Sequence, residues 1–203
     1  MIRYNYINRI VLQVFASMPR ISFPVNPLEI LNQYVNCRYM SYQKFAKLNG
    51  CTIDEVIKYC QSESGCTHYD IQNDRYLVLC NESTENHNNY GRQRWTFLHE
   101  IGHILCGHPK KAALELLAEN DIFENSNKEF ESEADYFAAT VAAPFPLFDI
   151  LNVKTVADVQ SKFGLSAEAS LYRFTQYLKW KKEHRKTSWE NDMVHLYRMK
   201  SVT

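Results

Sequence analysis

Two histidines four residues apart, with a glutamate beside the first, constrain this chain more than any other feature: His99-Glu100-Ile101-Gly102-His103. The spacing makes a shared site only if the segment is helical, because an α-helix returns every fourth side chain to one face. On a helix both imidazoles can bind one zinc ion, and Glu100 can take a proton from a water at that ion. The run from Arg92 to Cys106 has the helical pattern. Trp95, Leu98, Ile101 and Leu105 form an apolar stripe, Thr96, His99, Glu100 and His103 fall on the opposite side, and Gly107 and Pro109 supply a stop. Gly102 costs about 1 kcal/mol against alanine inside a helix. Its presence predicts a neighbour packed closely at that point.

A third protein ligand is needed. The extended motif H-E-x-x-H-x-x-G-x-x-H is excluded, because Cys106 and Pro109 stand where its glycine and last histidine belong. His108 falls one residue early, just past the helix end. The stronger source is Glu129-Phe130-Glu131-Ser132-Glu133-Ala134-Asp135, which opens a second helix. Ser126 and Glu129 form a capping-box pattern, Phe130, Ala134, Phe137, Ala138 and Val141 give an apolar face, and Pro144 ends the run. Glu131 and Asp135 are four apart and share a face. One can ligate zinc while the other accepts a hydrogen bond from a ligand histidine. Glu133 is turned about 160° from both around the helix axis. That placement predicts a solvent-facing side chain, and near-normal zinc binding in Glu133→Ala. Acidic residues near a helix start are also ordinary partners of the helix dipole.

Arg94-Trp95-Thr96-Phe97-Leu98 before the first motif, Glu131-Ser132-Glu133-Ala134-Asp135-Tyr136-Phe137-Ala138-Ala139, and then Pro144, resemble the ImmA/IrrE metallopeptidases. Their pattern is an R-F-T-like lead-in, H-E-x-G-H, and E-x-x-A-N/D followed by F-A and a proline. The resemblance runs in order and spacing over roughly residues 25–178. Trp95 departs from the usual phenylalanine, and Val141-Ala142-Ala143 is smaller than the usual run before the proline. The resemblance implies that Glu131 is the third zinc ligand and that Asp135 stands behind a ligand histidine. It also implies an α+β fold, with a small mixed β-sheet packed on the metal-binding helix, as in a minimal gluzincin, and a C-terminal helical segment after it. An edge strand of such a sheet can align a peptide by strand addition.

The 203 residues suffice for one substantial domain, and 45% hydrophobic and 13% aromatic content suit a globular core. Twenty-three basic and 23 acidic residues leave no overall charge to draw the chain to nucleic acid or a membrane. No apolar run reaches 18 residues, and the N-terminus lacks a signal-peptide layout. The expected location is the cytoplasm. The six cysteines contain no C-x-x-C pair, so they are expected as reduced thiols rather than disulfides or a zinc cluster.

Along the chain, helices are expected over 4–17, 27–36 and from Thr52, whose capping box with Glu55 starts a helix to Tyr59. Strands are expected over 38–42, 66–71 and 76–80, the last two flanking a turn at Asn73-Asp74. Residues 82–89, with a solvated His87, and 119–128 read as polar connections. Val156 to Phe163, Gly164-Leu165-Ser166 and Ala167 to Trp180 read as helix–turn–helix, a pattern more often two packed helices than a DNA-binding unit. Gln160 and Ser170 are poor residues for the latter. The Lys179, Lys181, Lys182, Arg185 and Lys186 cluster reads as a solvated helix end. The expected organisation is a metallopeptidase core over 1–150, a helix–turn–helix-like segment over 151–186 packed on it, and a polar tail over 187–203.

These expectations describe a zinc metallo-endopeptidase in which His99, His103 and Glu131 bind Zn²⁺ and Glu100 is the base. The resemblance implies a protein substrate, a helix–turn–helix transcriptional repressor. The competing expectation is a DNA- or protein-binding regulator with a structural or vestigial zinc site. A closed structural site needs a fourth ligand, for which His108 is nearest. An intact Glu100 is of no use to such a site.

Overall fold

The computed structural model describes residues 1–82, 90–117, 123–183 and 187–201, with residues 114–117 and 123–127 described by their backbone alone. Residues 83–89 of the expected 82–89 connection, with His87, lie outside the described residues. So do residues 119–122 of the expected 119–128 connection, and Arg185 and Lys186 of the basic cluster.

The first helix, α1 (Tyr4–Ser17), buries Ile7, Ile10, Val11, Val14 and Phe15, the spacing of one helix face. A short α2 (Pro27–Leu31) follows, capped by Asn26, and it ends well before residue 36 because the apolar pattern runs out and Val35 is exposed. Strand β1 (Cys37–Ser41) leads directly into α3 (Tyr42–Asn49), a helix not anticipated from the sequence. Ser41 caps its start, and Gly50, in the left-handed region at φ 64°, closes it. The Thr52–Glu55 capping box forms as expected at the head of α4 (Ile53–Cys60).

Strands β2 (Gly65–Asp70) and β3 (Arg75–Cys80) form an antiparallel hairpin, and β1 adds to β3 in parallel, giving a mixed sheet in the order β1-β3-β2. Alternation along β3 divides the core. Tyr76, Val78 and Cys80 enter the main core, whereas Leu79 joins Tyr42, Ala46 and Val56 of α3 and α4 on the other face. Against the main face lies α5 (Tyr90–Cys106), which carries both histidines of the first motif. Gly107, at φ 78°, turns the chain into α6 (His108–Leu117). The second motif lies on α7 (Phe123–Ala142). This helix takes in the last six positions of the expected 119–128 connection, so the expected cap at Ser126 is an interior position instead.

Gly102 has the close neighbour that its cost in a helix predicts. A Cβ there would sit 3.0 Å from the Phe137 ring and 3.1 Å from both Cα and O of Ala134. The two motif helices therefore meet closely at this point, which sets Glu131 opposite the histidines.

A short 3₁₀ turn (Phe145–Leu147) precedes α8 (Val156–Phe163) and α9 (Ala167–Glu183), the expected helix pair. Gly164, at φ 60°, ends α8, and Arg94 donates hydrogen bonds to the carbonyls of Phe163 and Gly164. The tail forms α10 (Ser188–Ser201), whose Met193 is fully buried in the main core. The fold is α+β, with a small mixed sheet and a helical majority. All six cysteines are free thiols. Among the described residues, no helix is long and apolar enough to cross a membrane.

Candidate metal centre

His99 and His103 project from α5 toward Glu131 of α7. The two Nε2 atoms are 3.0 Å apart, His99 Nε2 lies 3.1 Å from Glu131 Oε2, and His103 Nε2 lies 3.3 Å from Glu131 Oε1. Zinc bonds of about 2.0–2.1 Å at tetrahedral angles separate donor atoms by roughly 3.3 Å. The residues present therefore fit a zinc ion in both donor type and spacing. Among the described residues, these three form the group of metal-binding side chains that the structure brings together.

Asp135 stands behind His99, its Oδ1 3.0 Å from His99 Nδ1, the ring nitrogen turned away from Glu131. Burial opposes a charge on His99, but Asp135 and Glu131 outweigh it and push the ring up to about 10. Hydrogen bonds to His103 and His99 hold Glu131 well below the ordinary carboxylate range. A cation already has a place among these groups, and a divalent metal would take that place from a proton.

Glu100 lies on the same helix but is only 7% exposed. The sequence places it on a polar side opposite the apolar stripe. That side is covered because β2 packs over it. Thr67 of β2 donates to Glu100 Oε2 at 2.8 Å and approaches its backbone carbonyl at 3.3 Å. Burial raises the Glu100 carboxyl, while His103, Thr67 and His99 oppose the rise. A carboxylate raised toward neutrality is suited to taking and returning a proton. Thr67 escaped the sequence reading because an isolated strand threonine carries no motif.

Glu133 corrects an expectation. It does not face solvent: it is 2% exposed, although it points away from Glu131 as the helix geometry requires. The far side of α7 is covered by the segment leading into α1 and by the start of α6. Arg3 donates to Glu133 from its backbone N–H at 2.9 Å and from its guanidinium at 2.9, 3.1 and 2.5 Å. His108 Nε2 lies 3.0 Å from Glu133 Oε2, and its Nδ1 lies 3.1 Å from His103 Nδ1. Both nitrogens of His108 are thus engaged within the protein, so it is not a fourth ligand. Periodicity along α7 could not reveal this, since it identifies a face but not what covers it.

The site opens into a cleft of about 720 Å³ lined by His99, Glu100, His103 and Glu131, and along one side by Gly65, Cys66 and Thr67 of β2. β2 is an edge strand, so among the described residues one side of its backbone has no partner strand in the sheet.

Comparison with curated proteins finds no match. The family model described as the IrrE N-terminal-like domain, Peptidase_M78, matches residues 63–175. The match includes β2, β3, both motif helices and part of α9, and it starts later than the resemblance read from the sequence. With the two motifs converging on one site inside the matched region, the chain belongs to the ImmA/IrrE family of metallopeptidases.

Proposed function

We propose that the protein is a zinc-dependent endopeptidase that cuts an extended segment of a protein substrate. The observation that carries this reading is the convergence of His99, His103 and Glu131 in a cleft that also presents Glu100 and an edge strand. A zinc ion held by the three ligands would supply a Lewis acid with a position open to solvent. The chain's own groups supply the rest. Strand β2 offers backbone hydrogen bonds to a peptide lying along it. Glu100 takes the proton of the attacking water and returns it to the leaving amine nitrogen. Asp135 holds the His99 ring in place, and Thr67 holds the Glu100 carboxylate.

For the substrate, we propose a helix–turn–helix transcriptional repressor, on the strength of the family. The regulator alternative has no use for a buried, hydrogen-bonded Glu100. Purified protein loaded with zinc should cleave a repressor substrate, with fragments read by mass spectrometry. Glu100→Gln should retain the metal and lose cleavage. Cleavage by this variant at the wild-type rate would remove Glu100 from its role, and a protein that takes up no zinc would overturn the reading as a whole.

A further inference from the structure

We propose that His108 is a positioning residue for His103, a neutral imidazole whose own proton is directed by Glu133 and Arg3. The inference rests on the reading of His103 as a metal ligand and adds a chain of contacts behind it. Arg3 surrounds Glu133 with donated hydrogen bonds, so the carboxylate is ionised and can only accept. His108 Nε2, 3.0 Å away, must therefore be the donor. A metal ligand keeps its lone pair at the ligating atom, so the hydrogen of His103 belongs on Nδ1. That atom faces His108 Nδ1 at 3.1 Å, and two N–H groups cannot share one hydrogen bond. His108 Nδ1 therefore accepts, which leaves its ring neutral with one N–H, at Nε2. His103 Nε2, the atom that faces His99 and Glu131, stays unprotonated.

His108 is held firmly in this place. It is 2% exposed, and its ring stacks on Phe130 at 4.5 Å between centroids, with 12° between planes. Arg3 also donates to the carbonyl of Cys106, the last residue of α5, at 3.1 Å. It thereby joins the two helices that carry the ligands. The two ligand histidines are consequently held in different ways. His99 leans on an exposed carboxylate, and His103 leans on a buried neutral ring.

The test compares His108→Leu with His108→Asn. Leucine removes the acceptor, whereas the asparagine oxygen can replace Nδ1. Zinc affinity should be measured by chelator competition on folded protein, checked by thermal unfolding of the metal-free forms. His108→Leu should weaken zinc by roughly 10–100-fold, and His108→Asn should recover most of that loss. Equal losses in the two folded variants, or no loss in His108→Leu, would overturn the proposal while leaving the zinc site intact. Histidine ¹⁵N correlation spectra of zinc-loaded wild-type protein give a readout that needs no variant. They should show His103 protonated at Nδ1 and His108 at Nε2. A proton on His108 Nδ1 overturns the relay. A wild-type protein without zinc overturns the site reading, and the relay with it.

Discussion

Glu131 and Glu133 point to opposite sides of α7 yet hold the same histidine. Glu131 reaches His103 Nε2 directly at 3.3 Å, and Glu133 reaches the other ring nitrogen through His108. The order of their effects on zinc follows. Glu131→Ala should weaken binding most, since it removes a side chain proposed to ligate the metal. Asp135→Ala and Glu133→Ala should each cost roughly 10–100-fold, the usual loss for a partner behind a ligand. Zinc titration of the three variants checks this, and normal binding in Glu133→Ala would contradict it.

Gly102→Ala should destabilise the protein by about 1–3 kcal/mol, the usual cost of overpacking a tight contact. The added methyl would meet the Phe137 ring and the Ala134 backbone at 3.0–3.1 Å, and the backbone cannot yield as a flexible side chain would. Denaturant unfolding measures the change. The contrary result is a gain of about 1 kcal/mol, which alanine gives in an unobstructed helix.

Acid should weaken the metal-free protein partly through Arg3, Glu133 and His108. Burial resists the charge on Glu133, but Arg3 and His108 override it and bring the carboxyl to about 2. Burial brings His108 to about 4. Both lie below the reference values of 4.5 and 6.5, so the unfolded chain takes up protons first and stability falls with pH. The His108 contribution is lost between about pH 6.5 and 4, and the Glu133 contribution between about pH 4.5 and 2. At pH 7 Glu133→Gln should be less stable than wild type by about 1–3 kcal/mol. Unfolding curves from about pH 7 to 3 should show that gap closing, and a constant gap would exclude the contact as its source.

Thr67→Val should shift the acid limb of the kcat/KM profile to higher pH. The hydroxyl favours the charged Glu100, so its loss raises the carboxyl further above the ordinary range. An unmoved limb would separate Thr67 from the base.

The α8–α9 pair should not bind DNA tightly. The chain has no net charge, and the exposed side chains of α9 include Leu171, Tyr172 and Leu178. A gel-shift titration at physiological salt should show at most weak association, with Kd roughly 10⁻⁴–10⁻⁶ M. Sequence-selective nanomolar binding would favour the regulator.

The parts of this molecule legible in the sequence are those written in local patterns. His99 and His103 share a helix face because of their spacing, Thr52 caps α4 because Glu55 follows at the right interval, and Gly102 announced its close neighbour. Glu131 needed the family pattern to be preferred over Asp135 as ligand. The Arg3–Glu133–His108 contacts were hidden because residues 3, 108 and 133 meet only after α1, α6 and α7 have packed. α10 was equally hidden, since a polar tail buries Met193 only when a surface formed by the rest of the chain receives it.

Thr67 joins Glu100 to the edge strand, and if Glu100 is the base we propose, this joint would limit what the cleft could cut. A backbone already folded into a helix has spent its hydrogen bonds and cannot pair with β2. An extended backbone can, and in pairing it bears on the strand that steadies Glu100. The protein would therefore read the shape of its target's main chain before any side chain. A folded target would be opened in a linker or a frayed end, and its helices would be spared until they unwind.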